Sequence, residues 1–237
     1  DKDTSKDTSE NDNGTLTPKE KDEVYQALKK FNFSEQLIQF TSSVKENIPI
    51  CLIHGKLSHG QKWLYNRLLT KYGEILPSFT FSKPKNIEPS SSIKEFDHLL
   101  RQFALYLSLR PKGNSIESFC DELVGEVSKV LQTESFIVRI LNPSKFEEIV
   151  FIDFLEKVWI PTVKAIRSIH NFKEKPHRML LFLVELEFEV PQNHWIIDSI
   201  PSELINVLPV IKPIGYNEFK VWAKENNEVD CVYENHY

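Results

Sequence analysis

The sequence has little of what marks secreted or membrane-spanning proteins. Its three cysteines, Cys51, Cys120 and Cys231, are far apart and form no CxxC pair. An odd count without framework spacing favours a reducing, intracellular setting. No signal peptide is recognisable, and no uninterrupted apolar stretch is long enough to cross a bilayer. We therefore expect a cytoplasmic protein that makes no use of a membrane.

The sequence also lacks the excess of positive charge that a general nucleic-acid binder needs. Its 29 Lys and Arg residues are outnumbered by 34 Asp and Glu residues, which gives a formal net charge of -5 and a pI of about 5.9. Phosphate neutralisation requires clustered Lys and Arg, so a nucleic-acid partner is not expected. The hydrophobic content of 41% is enough for an ordinary core in a chain of 237 residues.

Apolar side chains are absent from the first 14 residues. Such a segment cannot offset the entropy of ordering, so residues 1–17 are predicted to be a disordered linker or tail. Residues 226–237 are predicted to be a polar C-terminal tail. Residues 18–225 are predicted to form one domain, in which residues 18–46 are a helical lead-in. The chain begins with Asp1 rather than Met, which we interpret as a piece of a longer protein.

Apolar runs alternate with amphipathic helical patterns along this domain, which predicts an α/β fold with a mostly parallel sheet. The continuous apolar run of residues 178–185 is typical of a central strand buried on both faces. Pro209 favours an edge position for the last strand, and Pro161 should divide the long helix predicted for residues 145–169. A turn-rich span is predicted for residues 83–92. The predicted strands are residues 48–53, 78–82, 136–141, 178–185 and 207–211.

A glycine pattern follows the first of these strands. Gly55 and Gly60 have the spacing of the phosphate-binding motif G-x-x-x-x-G-K-[ST] and stand between a predicted strand and a predicted helix. Gln61 stands where the motif has its phosphate-binding lysine, and Lys62 stands where it has its magnesium-binding hydroxyl. The neutral Gln61 cannot supply the positive charge, and an ammonium group repels magnesium. The pattern predicts a P-loop NTPase-like three-layer sandwich of about five strands, with a degenerate loop and no catalytic residues, metal or cofactor.

Other interpretations of the loop remain open. Lys56 could act as a displaced phosphate lysine, which would make the chain a divergent P-loop NTPase that still binds ATP or GTP. The loop could also be a tight strand–helix turn without any ligand. Glu185 ends the most apolar strand, at the former position of the Walker B acid. It is either a retained magnesium acid or part of the solvated face of an extending strand, and we favour the solvated face. Loop polarity adequately explains His54 and His59.

The residues around the loop resemble a known family. The run Cys51-Leu52-Ile53-His54-Gly55, followed by Gly60-Gln61-Lys62-Trp63-Leu64-Tyr65-Asn66-Arg67-Leu68, is similar to the pattern LIHG…GQRWLLNRL of inactive STAND domains. These domains occur in bacterial, often cyanobacterial, multidomain proteins. The resemblance extends over roughly residues 20–225.

The resemblance implies a P-loop NTPase fold that has lost nucleotide hydrolysis. It also implies a place in a conflict or signalling system, usually after a small effector-associated adaptor domain. The leading hypothesis is therefore a non-enzymatic regulatory or scaffold module that acts through protein contacts. Its protein partners would be reached through an adaptor or effector domain elsewhere in the full-length chain, with weak nucleotide binding or none.

Overall fold

A five-stranded parallel sheet organises the chain. The computed structural model describes residues 33–56, 60–75, 84–88, 94–111, 113, 115–169 and 177–211, which lie within one compact unit, Asn32–Pro213. All strand pairs are parallel, and the strand order is β2-β3-β4-β1-β5. The strands are β1 (Ile50–Ile53), β2 (Lys85–Ile87), β3 (Phe136–Leu141), β4 (Met179–Val184) and β5 (Ile205–Val207). The predicted α/β class and the five-stranded sheet are confirmed.

The most apolar strand lies at the centre of the sheet, as its sequence predicts. All six residues of β4 are buried, and β4 pairs with β3 on one side and β1 on the other. A strand that contacts helices on both faces loses nearly all of its solvent exposure, so both faces must be apolar. The last strand lies at the edge, also as predicted. However, it spans Ile205–Val207, and Pro209 follows it rather than lying within it.

Helices cover both faces of the sheet and make three layers. The helices are α1 (Ser34–Glu46), α2 (Gln61–Ile75), α3 (Phe96–Leu107), α4 (Ile116–Val130), α5 (Glu148–Phe154), α6 (Ile160–Ile169) and α7 (Trp195–Asp198). Ile50 and Leu52 of β1 face the large core formed with α3 to α6. On the opposite face, Phe182 of β4 contacts the rings of Phe40 in α1 and Tyr65 in α2. The predicted three-layer arrangement is confirmed.

Pro161 divides the long helical region between β3 and β4. A 3₁₀ turn (Pro143–Lys145) comes first, and a π-helical turn (Leu155–Trp159) separates α5 from α6. Proline has no N–H, so the carbonyl of Lys157, four residues earlier, loses its regular helical partner. The Cys120 thiol of α4 donates to that carbonyl over 3.5 Å. The division predicted at Pro161 is confirmed.

The region before α3 differs from the prediction. Strand β2, at Lys85–Ile87, falls in the span that was predicted to contain turns. Only three residues long, it follows Pro84 and carries a single buried apolar side chain, Ile87, so local periodicity could not reveal it. The strand predicted for residues 78–82 lies outside the described residues. The same holds for the predicted tails, 1–17 and 226–237, so the domain boundaries stay predictions.

Candidate functional site

The glycine loop begins where β1 ends. His54 and Gly55 follow Ile53, and α2 begins at Gln61, directly after Gly60. Gly60 has φ 91°, in the left-handed region that favours glycine, and a Cβ there would lie 3.1 Å from the Trp63 ring. The Gly60 carbonyl accepts the first bond of the helix, from the Leu64 N–H at 2.9 Å. The second glycine of the pattern is therefore required by the strand-to-helix turn itself.

The side chain of Gln61 is hydrogen-bonded to the start of this loop. Its Nε2 group donates to the Gly55 carbonyl and to the Lys56 carbonyl, each at 2.8 Å. Only 2% of Gln61 is exposed, and a Cβ on Gly55 would come within 3.3 Å of Nε2. The residue at the position of the phosphate lysine thus joins the start of the loop to the start of α2. Lys62, at the position of the hydroxyl, is exposed.

The His54 side chain connects three segments at the end of the sheet where the carboxyl ends of the strands lie. Its Nδ1 accepts a hydrogen bond from the Val190 N–H at 2.9 Å, and its Nε2 lies 3.1 Å from the Leu208 carbonyl. These partners fix the neutral tautomer with hydrogen on Nε2, because Nδ1 faces a donor and Nε2 faces an acceptor. Burial lowers the pKa of His54, although the bond to Leu208 and the attraction of Glu189 oppose this. His54 is therefore a structural residue rather than part of a loop surface.

The environment of Glu185 contradicts the interpretation that we favoured, in which this residue belongs to a solvated strand face. The residue is fully buried, so it does not belong to a solvated face. Its Oε2 accepts from the Ser144 hydroxyl at 2.6 Å, and its Oε1 accepts from the Glu187 N–H at 3.1 Å. A buried carboxylate needs such partners because desolvation without them is costly. Glu185 follows β4, which pairs directly with β1, and its assignment as the former Walker B position stays a prediction.

Two residues at the carboxyl ends of the strands were not identified as site residues from the sequence. Asn142, with φ 49°, accepts from the Leu186 N–H through Oδ1 at 3.1 Å, and Ser144 donates to Glu185. Both follow β3, and their partners follow β4, so the bonds tie together the carboxyl ends of two neighbouring strands. The polar side chains of Asn142 and Ser144 at the end of an apolar strand were the available signal in the sequence.

The described residues contain no group of three or more His, Cys, Asp or Glu side chains arranged to hold a metal ion. Within the same part of the chain, none of the helices has the length and apolar character needed to cross a membrane.

The fold and the loop define the class of protein. A parallel α/β sheet with a strand–glycine loop–helix unit, whose lysine and hydroxyl are replaced, is a P-loop NTPase-like domain with a degenerate phosphate loop. The family model described as inactive STAND matches residues 28–184 of the 237. The chain belongs to the inactive STAND family. The match is shorter than residues 20–225, the extent that the sequence resemblance suggested.

Solved structures show a more distant similarity. The ADP form of the ORC2 protein of Aeropyrum pernix has 11% identity and a TM-score of 0.49, and the alignment covers 81% of this chain and 51% of that one. Cdc6p of Pyrobaculum aerophilum has 14% identity and a TM-score of 0.47, with 80% and 48% covered. The chain thus spans about half the length of these proteins. No curated protein matches the chain.

Proposed function

We propose that this chain is a non-enzymatic regulatory or scaffold module that acts through protein contacts in a bacterial signalling or conflict system. It retains the shape of a P-loop domain and does not hydrolyse nucleotides. The observation that carries this proposal is the placement of Gln61, whose amide is buried in the loop and bonded to the loop backbone.

The hydrogen bonds of Gln61 explain why the loop is unsuited to phosphate. A P-loop presents donors and a lysine ammonium to phosphate oxygens, which are acceptors. Both bonds from the Gln61 amide go instead to carbonyl oxygens of the loop, at Gly55 and Lys56. The amide also has no net charge to place against the β- and γ-phosphates. The residue that would bind nucleotide in an active relative here stabilises the loop.

Nucleotide binding tests this proposal against the divergent NTPase. We expect calorimetry with ATP or GTP and magnesium to show weak binding or none, and a phosphate-release assay to show no activity above buffer. The Gln61→Lys, Lys62→Thr double variant restores both missing groups, and we expect any gain in affinity to appear there. Lys62→Thr alone is the matched control, because it removes a charge without supplying the phosphate lysine.

One result would support the rival function. Lys56 is exposed beside the loop, and only its backbone carbonyl is held by Gln61. Micromolar binding of ATP by the wild type that is lost in Lys56→Ala would establish a displaced phosphate lysine and refute the inactive loop. Lys56 suits this test better than Glu185, because substitution of the buried Glu185 would also change stability.

The proposed partners are proteins reached through an adaptor or effector domain of the full-length protein. The test is to mix this chain with the separately expressed neighbouring domains and to measure complex formation by size-exclusion chromatography with light scattering. A scaffold should form a complex without nucleotide. A complex that requires ATP and magnesium would contradict a nucleotide-independent module.

A further inference from the structure

Arg139 is a charged residue in a buried strand. Of the six residues of β3, it alone is not fully buried. Its neighbours Val138 and Ile140 face the large core with α3 to α6. Side chains alternate along a strand, so Arg139 points to the opposite face, the one that α1 and α2 cover. It pairs in register with Phe182 of β4 and with Asn86 of the edge strand β2.

The guanidinium of Arg139 lies over an aromatic ring. Its Cζ atom is 4.5 Å from the centroid of the Tyr65 ring. The Tyr65 ring in turn meets Phe182 edge-on, with centroids 5.0 Å apart, which fixes its orientation. An arginine held in this way keeps its N–H donors in the guanidinium plane, where they are available to a planar acceptor.

These donors have no acceptor among the residues that the structure describes. Among the described residues, Arg139 takes part in no hydrogen bond and no ion pair, and its solvent-excluded Nε is unpartnered. Arg139 as a whole is partly exposed. By contrast, Arg167 donates to the Asn47 carbonyl at 2.7 Å and Arg178 donates to the His177 carbonyl at 3.2 Å. The ring of Tyr65 therefore holds Arg139 in position, and none of the described residues acts as its counter-ion.

The hydroxyl of Tyr65 also lacks a hydrogen-bond partner within the described part of the chain. Only 2% of Tyr65 is exposed, and its buried hydroxyl has no hydrogen-bond partner. Burial raises the pKa of Tyr65 to about 12 while the charge of Arg139 opposes the shift, so the phenol keeps its proton and remains a donor. A buried polar group without a partner is costly. The Tyr65 hydroxyl is therefore, like the guanidinium of Arg139, a hydrogen-bond donor without an acceptor among the described residues.

Exposed charges of both signs flank the elements beside Arg139, with Lys62 on α2 and Glu88 directly after β2. Lys62 is exposed and lies three residues before Tyr65, so it shares that flank of α2. The acid nearest in the sequence of β2 is Glu88, which is exposed and forms no ion pair with Arg139. The exposed Asn86 adds a polar side chain on the same face, directly beside Arg139 in register.

We infer that Arg139, supported by Tyr65, is a binding site for an oxyanion, either a carboxylate of an acidic protein segment or a phosphate group. A guanidinium binds such groups through two parallel N–H···O bonds, and the ring of Tyr65 holds it in place for this contact. This site is separate from the degenerate loop and does not depend on the proposed function.

The Nε–H signal of Arg139 in nitrogen-15 NMR spectra reports directly on this site. The probes are inorganic phosphate and a hexaglutamate peptide, titrated separately into the wild-type chain. We expect a saturable shift of the Arg139 signal with at least one probe. Saturation by the peptide alone assigns a carboxylate ligand, and saturation by phosphate alone assigns a phosphate ligand. An unchanged Arg139 signal with both probes would overturn the inference.

Variants distinguish binding through the two parallel N–H groups of the guanidinium from attraction by positive charge alone. Arg139→Lys keeps the positive charge but removes the paired N–H donors of the guanidinium, so we expect binding to weaken by about tenfold or more. Arg101→Lys is the matched control, because Arg101 is exposed on α3, and it should bind as the wild type does. Tyr65→Phe should weaken binding less than Arg139→Lys, because the ring that supports the guanidinium remains. Equal effects of Arg139→Lys and Arg101→Lys would refute a specific site.

Discussion

Removal of the His54 side chain should destabilise the carboxyl-terminal end of the sheet, where the glycine loop begins. The ring is 4% exposed and bonds two backbone groups, the Val190 N–H and the Leu208 carbonyl. In His54→Ala both groups lose their partner in a buried region, at roughly 1–3 kcal/mol each. We therefore expect the free energy of unfolding to fall by about 2–6 kcal/mol at neutral to alkaline pH.

The cost should depend on pH in a defined direction. Burial holds the pKa of His54 below its ordinary value, so the unfolded chain binds the proton more readily than the folded chain. The stabilising contribution is complete above about pH 6.5, the unfolded value, and is lost as the pH falls through the folded pKa. Protonation would also place a second N–H donor at Nδ1, opposite the Val190 N–H that this atom accepts from.

Urea unfolding at about pH 8 and about pH 5.5 tests both statements, because these values lie on either side of the ordinary histidine pKa. The difference in stability between wild type and His54→Ala should shrink at the lower pH. His54→Gln, which can donate and accept but does not titrate, should lose less stability on acidification than the wild type. His98→Gln, at an exposed position on α3, is the control and should follow the wild type. A difference that stays constant or grows on acidification would refute the reasoning.

Further predictions concern the core and the helix division. Leu183→Ala removes a fully buried side chain of β4 and should cost about 2–5 kcal/mol of unfolding free energy in urea, whereas Ile149→Ala, 69% exposed, should cost almost nothing. Similar costs for both would contradict the central position of β4. Ser144→Ala removes the 2.6 Å bond to Glu185 and should cost about 1–3 kcal/mol, since a buried acceptor loses a partner. A neutral result would mean that this bond contributes nothing. Pro161→Ala should leave the melting temperature within a few degrees, because the Cys120 thiol already partners the Lys157 carbonyl; a large rise would show a strained division.

Local patterns were sufficient to predict much of the fold. The apolar run that became β4 is long enough to identify a central strand, and the sheet requires such a strand to be buried on both faces. The glycine spacing between β1 and α2 is also local, because the loop connects consecutive elements. The replacement of the phosphate lysine by Gln61 could be read directly, and so could the loss of charge that follows. The family match over residues 28–184 confirms the relationship.

Contacts between distant segments could not be predicted in the same way. Glu185 looked like one of several alternating acids, yet its partner Ser144 lies 41 residues earlier and makes it a buried residue. His54 looked like a polar loop residue, and its contact with Leu208 spans 154 residues. Strand β2 is only three residues long, so its pairing with β3 rather than its composition makes it a strand.

The sequence by itself determined the class of fold, the central strand and the absence of the lysine and hydroxyl from the glycine loop. These follow from residue type and spacing within a single strand, helix or loop. Only the tertiary structure decided that Gln61 binds the carbonyls at the start of the loop, that Glu185 is buried, and that Arg139 lies over Tyr65 without a counter-ion among the described residues. The physical reason is that the free energy of a polar group depends on the partners that folding brings to it, and parallel strands bring together residues that are far apart in the chain.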